Sequence, residues 1–216
     1  MNLKVYQAYY DTAQLPHLDA AFLPYDNTKN ETPHLREFPM WKELLVRHGG
    51  SDAYWGLMSW RWHQKAGIAG YTFTSWIDSN PGYDCYHFDP FAHLQNEYPN
   101  LWVQGDQWHP GMLEYANRLF PKLGIKERAE ELQYRPDNWG TCNYYVGNSN
   151  YWTSLLSFMD ECLAISNQDE AMHKYLYVDG RMYNGHVIPN FSFVTERLFS
   201  LHNFLKPEFK VIGYVQ

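Results

Sequence analysis

The side chains best placed to bind a ligand are the polar ones that directly follow predicted strands. They occur at residues 7–11 (QAYYD), at Trp60-Arg61, at Asp89 and at residues 143–148 (NYYVGN). In open α/β sheets, ligands bind beyond the carboxyl ends of the strands. We therefore expect the functional residues to lie mainly in these segments.

Alternating and continuous apolar patterns predict the strands that carry these segments. Strands are predicted at residues 3–10, 53–60, 83–88, 142–147 and 209–215, and helices at 41–48, 72–78, 112–120, 150–165 and 193–204. Residues 12–39 contain four prolines, which predicts a loop with short helical pieces. Strands that alternate with helices favour an α/β fold with a mostly parallel central sheet flanked by helices. No linker or repeat divides residues 1–216, which we interpret as one domain.

Composition restricts the class of function. The net charge of −7 and the lack of a Lys/Arg cluster argue against nucleic acid as a partner. No apolar run approaches the roughly 20 residues of a membrane span, and the first residues do not resemble a signal peptide. Cys85, Cys142 and Cys162 are too few and too widely spaced for a disulfide framework, so a reducing, cytoplasmic location is expected. Trp, Tyr and Phe make up 18% of the chain, and their flat rings favour a carbohydrate ligand.

Several common catalytic motifs are absent from the sequence. It contains neither the G-x-G-x-x-G of dinucleotide-binding folds nor the G-x-x-x-x-G-K-[ST] of P-loop proteins. It also lacks G-x-S-x-G and H-E-x-x-H. The sequence therefore excludes the Gly-rich cradles for phosphate and these two hydrolase signatures.

Four segments, in order, resemble one family of enzymes. Residues 26–30 (DNTKN), with Arg36-Glu37 and Trp41, resemble the D-N-I-S-x-K-N…E-L…Y-W segment of bacterial capsule and O-antigen glycosyltransferases. Residues 53–62 (AYWGLMSWRW) are similar to that family's D-Y-V-G-L-x-H-Y-R-R-Y strand. Residues 142–146 (CNYYV) with Tyr151-Trp152 resemble its N-M-F-I-M…Y-F segment, and residues 195–199 (TERLF) its S-E-R-L-F. The sequence is also similar in style to transferases with which large algal viruses glycosylate their capsids.

The resemblance implies a fold and an activity. The fold would be of the GT-A type, and the activity would be transfer of a sugar from a UDP- or GDP-linked donor to a glycan or glycoprotein acceptor. The location would be the cytoplasm, that of the host for a viral protein. The resemblance is also compatible with the chain being one domain of a larger transferase.

This chemistry requires that the charge of the leaving diphosphate be neutralised. Arg61 is a candidate, because a guanidinium can bind phosphate bidentately; the alternative is a surface arginine in an ion pair. Transferases of this type commonly hold a metal with D-x-D, which this chain lacks. Asp78 is the best substitute ligand for Mn²⁺ or Mg²⁺, with Asp84 and Asp89 as alternatives.

An inverting transfer also requires a base for the acceptor hydroxyl. Glu196, Asp106 and Asp89 are candidates, followed by His109. Glu196 could instead be a carboxylate that favours a helix N-terminus, and Asp106 could be a turn residue.

Donor and acceptor contacts are assigned in the same way. Residues expected on the donor are Gln7, Ala8, Tyr9, Tyr10, Asp11, Asn27, Glu37, Arg61 and Asn143. Residues expected on the acceptor are Trp60, Trp108 and Trp139. The alternatives are structural: Tyr9 and Tyr10 as packing residues, Asn27 in a turn, Glu37 at a helix start, Asn143 on backbone groups and the tryptophans in the core.

Two other classes of function remain open from the sequence. A carbohydrate-binding module without catalysis would explain the aromatic content, but such modules are commonly all-β. A glycoside hydrolase would use two carboxylates about 5–10 Å apart, for which Glu196 and Asp106 are candidates.

Overall fold

The computed structural model describes residues 1–183 and 186–214. The strands in these residues are β1 (Leu3–Tyr9), β2 (Leu23–Asp26), β3 (Tyr54–Ser59), β4 (Cys85–Phe88), β5 (Tyr145–Gly147), β6 (Gly180–Tyr183), β7 (His186–Pro189) and β8 (Val211–Tyr214). The helices are α1 (Phe38–His48), α2 (Trp62–Ala66), α3 (Gly70–Ser79), α4 (Leu101–Trp108), α5 (Met112–Leu119), α6 (Ser149–Asn167), α7 (Glu170–Tyr177) and α8 (Phe191–Leu205). Short 3₁₀ turns occupy much of the remaining chain.

The central sheet has six strands in the order β2-β1-β3-β5-β4-β8. β1 runs parallel to β2 and β3, and β4 runs parallel to β8, whereas β5 is antiparallel to both of its neighbours. The α/β class is confirmed, and the sheet is mixed: β5 runs opposite to the other five strands. The direction of a strand depends on the end of the sheet at which the preceding chain enters it. The apolar pattern of β5 does not contain this information.

Close approach of β5 to β3 depends on a glycine. Gly56 pairs with Val146, and a Cβ at residue 56 would lie 2.2 Å from the carbonyl oxygen of Tyr145. Any larger residue at this position would push β5 away from the sheet.

Aromatic side chains fill the cores on both faces of the sheet. On one face, Trp55 stacks on Trp152 of α6 with ring centroids 4.2 Å apart, and the indole N–H of Trp152 donates to the carbonyl of Trp55 at 2.8 Å. On the other face, Trp62 of α2 packs against Phe73 of α3 and Phe88 of β4. Much of the aromatic content therefore serves packing.

Most predicted elements exist, with bounds shifted by a few residues. The exceptions include β2, which lies in the segment predicted to be loop, and the β6–β7 hairpin, which was not predicted. β2 is a short edge strand that contains Pro24, and a proline is tolerated at a sheet edge. Val215, the last residue of the final predicted strand, lies outside the described residues.

Candidate functional site

A cavity of about 1050 Å³ opens at one edge of the central sheet. Tyr10 follows β1, Ser59 ends β3, and Asn143 precedes the antiparallel β5, so all three reach the same edge. This volume is at the upper end of the roughly 300–1,000 Å³ typical of small-molecule sites. We call it the strand-end cavity; its walls also include α8 and the β6–β7 hairpin.

The strand-end cavity concentrates positive charge. Among the described residues, five Lys and Arg side chains line it, against two carboxylates. The cations are Arg36, Arg61, Lys65, Arg181 and Arg197, and the carboxylates are Glu37 and Glu196. Although the whole chain has a net charge of −7, this local excess of cations makes the cavity suited to an anionic ligand.

Glu196 and Arg197 extend from α8 into the cavity wall. Glu196 Oε2 lies 3.0 Å from Arg197 Nη1, and their side chains are 17% and 4% exposed. Arg197 also donates to Gln104 Oε1 at 2.6 Å and to the Phe193 carbonyl at 3.2 Å, which fixes the guanidinium. Burial raises the pKa of Glu196 to about 7, although the charges of Arg197 and Lys65 oppose this effect. Glu196 can therefore exchange a proton near neutral pH.

Glu37 lies at the start of α1 and is held by a tyrosine. The Tyr10 hydroxyl donates to Glu37 Oε1 at 2.9 Å. Burial and the neighbouring Glu37 raise the pKa of Tyr10 well above its usual value, so the phenol keeps its proton as a donor. Glu37 and Glu196 thus give the cavity two carboxylates in different settings.

Arg36 has an unusual backbone conformation beside the cavity. Its φ is 51° and its ψ is −124°, a region that favours glycine. Such a conformation costs about 1–3 kcal/mol and is found most often at functional sites. The strain places a cationic residue at the cavity directly before Glu37.

His109 lines the cavity beside α8. Its ring stacks on Phe193 with centroids 3.6 Å apart, and its carbonyl accepts a hydrogen bond from the Tyr175 hydroxyl. Burial and the charges of Arg197 and Arg181 lower the pKa of His109 to about 4. The imidazole is therefore neutral at physiological pH.

Aromatic rings form the rim of the cavity. Trp108 is 53% exposed and Phe91 is 37% exposed. Trp60 lies beside Arg61, whose guanidinium carbon is 5.2 Å from the indole centroid. These rings offer flat apolar surfaces next to charged groups.

The cavity brings together about half of the residues predicted from the sequence. Those that line it are Tyr10, Glu37, Trp60, Arg61, Trp108, His109, Asn143 and Glu196. Those that do not line it are Gln7, Ala8, Tyr9, Asp11, Asn27, Asp78, Asp89, Asp106 and Trp139.

The residues predicted to bind the donor from β1 and the loop after it bond to backbone groups or pack in the sheet instead. Gln7 is fully buried; its amide donates to the Ser59 carbonyl at 3.0 Å and accepts from the Asp19 N–H at 2.6 Å. Ala8 and Tyr9 are buried in the sheet, and Asp11 caps a 3₁₀ turn by accepting from the Ala13 N–H.

Three other predicted site residues have structural positions. Asp106 accepts from the N–H groups of Gly111 and Leu113, which closes the turn between α4 and α5. Asn27 continues from β2 and donates its backbone N–H to the Tyr9 carbonyl. Trp139 is 4% exposed and packs in the interior.

The predicted metal ligands do not converge on the cavity. Asp78 lies 3.0 Å from the amino group of Met1 on the surface, and Asp84 accepts from Asn148 and from the N–H of Lys210. Asp89 is buried, and both of its carboxylate oxygens accept hydrogen bonds. Among residues 1–183 and 186–214, no group of three His, Cys, Asp or Glu side chains is placed to hold a metal ion. None of the three predicted ligands lines the cavity, and a metal ion bound with the donor diphosphate stays a prediction.

Asp89→Asn is expected to lower the free energy of unfolding by about 2 kcal/mol. The native carboxylate accepts from the Phe91 N–H and from both the N–H and the hydroxyl of Thr141, and an amide cannot replace all three contacts. Urea denaturation measures the change. Asp78→Asn is the control, since its exposed ion pair contributes about 0.5 kcal/mol or less. Equal effects of the two substitutions would contradict the structural role of Asp89.

Sequence reasoning missed four of the five cations of the cavity as ligand-binding residues. Arg36 and Arg197 lie next to Glu37 and Glu196 inside two of the resembling segments, so a signal for them was present. Lys65 follows Arg61 by one helical turn. Arg181 lies on the unpredicted hairpin, and no motif marked it.

In the described part of the chain, no helix is long and apolar enough to cross a bilayer. Comparison with known proteins adds no family to these observations: no protein-family model, curated protein or solved structure matches the chain.

Proposed function

We propose that this protein is a glycosyltransferase that moves a sugar from a nucleoside-diphosphate donor to a glycan or glycoprotein acceptor. The observation that carries the proposal is a strand-end cavity with five cationic side chains and a carboxylate whose pKa is near 7. The cations fit a diphosphate, and the carboxylate fits the proton acceptor of a group transfer.

The four resembling segments support the proposal because each of them contributes to the cavity. Arg36-Glu37, residues 59–61, Cys142-Asn143 and Glu196-Arg197 come from four separate stretches of the chain. These four stretches meet at one site, as the catalytic and binding residues of an enzyme do.

In the proposed reaction, an acceptor hydroxyl attacks the anomeric carbon of the donor sugar. The bond from that carbon to the diphosphate oxygen breaks, and the nucleoside diphosphate leaves with the electron pair. Arg36, Arg61 and Lys65 stabilise the negative charge that develops on it. The hydroxyl proton passes to Glu196.

Glu196 is a better proton acceptor for this step than His109. A base works best when its pKa lies near the operating pH. The pKa of Glu196 is about 7, whereas that of His109 is about 4. His109 instead offers a neutral ring that can accept a hydrogen bond.

Calorimetric titration with a panel of nucleotide sugars, with and without Mn²⁺, tests the proposal. At least one UDP- or GDP-linked sugar is expected to bind with a Kd between about 1 μM and 1 mM, the usual range of KM. The same donor should be hydrolysed slowly when no acceptor is present. Indifference to every nucleotide in the panel would refute the proposal.

A glycoside hydrolase is the second candidate, because Glu37 and Glu196 both line the cavity. Release of free sugar from an oligosaccharide without any nucleotide would favour it. The third class, a binding module, is usually all-β, and the helices of this chain count against it.

A further inference from the structure

The cations of the strand-end cavity come from two regions of the fold. Arg36, Arg61 and Lys65 belong to the segment before α1 and to the segment that follows β3. Arg181 and Arg197 belong to β6 and α8, and both act on the same imidazole, that of His109. A single diphosphate can be neutralised by the first group, and Arg197 already pairs with Glu196, which leaves Arg181 for another ligand.

The β6–β7 hairpin directs Arg181 towards the cavity. Arg181 is paired with Ile188 across the hairpin, and both residues line the cavity. The next pair, Met182 and Val187, is 63% and 53% exposed, as expected for the opposite face of a strand.

Arg181 and Arg197 differ in the hydrogen bonds and ion pairs that their guanidinium groups already make. Arg197 is buried and bonded to Gln104 and to Glu196. Arg181 is exposed and makes no hydrogen bond or ion pair with another described residue. Among the described residues, Arg181 therefore supplies a guanidinium that is left to bind a ligand.

The half-buried ring of Phe193 lies beside the buried imidazole of His109. His109 and Phe193 stack on each other, and both line the cavity. Aromatic rings can cover the apolar C–H face of a sugar, and a guanidinium can bind a planar oxyanion bidentately. Together these groups match a sugar ring that carries a negative charge.

Building on the proposed function, we infer that the acceptor is an acidic saccharide whose oxyanion, a carboxylate or a phosphate, binds Arg181. A neutral acceptor would leave this guanidinium without a partner when the cavity is filled. The ring of the acidic sugar lies against Phe193, and its hydroxyl faces Glu196.

The test uses three oligosaccharide probes that differ only in the terminal sugar: glucose, glucuronate or glucose 6-phosphate. Calorimetry measures their binding in the presence of the nucleotide donor identified above. An acidic probe is expected to bind at least about tenfold more tightly than the glucose probe, and added salt should reduce that difference. Preference for glucuronate or for the phosphate identifies which oxyanion is recognised.

Arg181→Gln should remove the preference, and Arg181→Glu should reverse it in favour of the neutral probe. Met182→Gln is the matched control, because it alters the exposed face of the same strand. Circular dichroism and donor affinity show whether each variant is folded.

The outcomes separate this inference from the proposed function. If no nucleotide sugar binds, the proposed function fails. If a donor binds but the acidic probes bind no better than the glucose probe, or do not bind, only the inference is overturned. A preference for acidic probes that survives Arg181→Gln would also overturn it.

Discussion

Glu196→Gln is expected to lower kcat by about 10³-fold, within the range of about 10²–10⁴ contributed by a general base. The amide keeps the size of the side chain but cannot take the acceptor proton. In the native protein, kcat/KM of the proposed transfer should rise as the pH increases through about 7, where Glu196 loses its proton. This rise should be absent from the variant. Steady-state rates from pH 5 to 9 measure both effects.

The same substitution is expected to stabilise the fold at alkaline pH. The pKa of Glu196 is raised from 4.5 to about 7 in the fold. Its favourable contribution is therefore complete below pH 4.5 and is lost as the pH rises through about 7. At about 1.4 kcal/mol per pH unit, the native protein loses about 3 kcal/mol above pH 8 that Glu196→Gln would retain.

Glu161→Gln is the control for both measurements, because Glu161 is an exposed carboxylate on α6 and does not line the cavity. Glu161→Gln should change neither kcat nor the pH dependence of the free energy of unfolding. A Glu196→Gln variant with native kcat would contradict the proposal that Glu196 is the base.

Arg61→Ala is expected to lower kcat/KM for the donor by about 10²–10³-fold. Removal of one group that stabilises developing negative charge commonly has an effect of this size. Arg61→Lys should restore only part of the loss, because an ammonium cannot bind phosphate bidentately. Initial rates at varied donor concentration measure the effect.

Arg118→Ala provides the comparison, since Arg118 is an exposed arginine that pairs with Glu114 outside the cavity. Donor kinetics that are alike in the Arg61→Ala and Arg118→Ala variants would exclude Arg61 from phosphate binding. Urea titration of both proteins checks that the comparison reports on the site rather than on folding.

The long amphipathic elements could be predicted from the sequence. α6 and α8 each carry a sustained apolar stripe, so their predicted bounds differ from the observed ones by only a few residues. β2 is a short strand that contains a proline, so its sequence does not have the pattern of a strand. The direction of β5 depends on the path of the preceding chain. Neither the existence of β2 nor the direction of β5 could therefore be predicted from a local sequence pattern.

Some of the polar side chains that follow a strand reach the cavity, whereas the predicted residues within the sheet do not. Arg61 follows β3 and reaches the cavity. Gln7 and Tyr9 lie inside β1, where residues 5–9 are buried on both faces. Because both faces are covered, alternation along β1 does not show which side chains meet a ligand.

The aromatic content says less about the ligand than composition alone suggested, because most of the tryptophans are buried. Trp41, Trp55, Trp62, Trp102 and Trp152 are fully buried. Trp60 and Trp108 line the cavity. Rings that suggest sugar binding in the sequence therefore mostly stabilise the two cores, and the charge of the cavity is the stronger argument for a ligand.

The position of β5 also affects how the nascent chain folds during translation. β1, β2 and β3 can pair once residue 59 has emerged from the ribosome, but one edge of β3 stays unpaired until residues 145–147 are made. β4 likewise stays unpaired until β5 and then β8 are available. An open edge with an apolar sequence invites pairing with another chain, and pairings between distant residues form slowly. Chaperones that shield β3 during this interval would therefore favour the native sheet over aggregation.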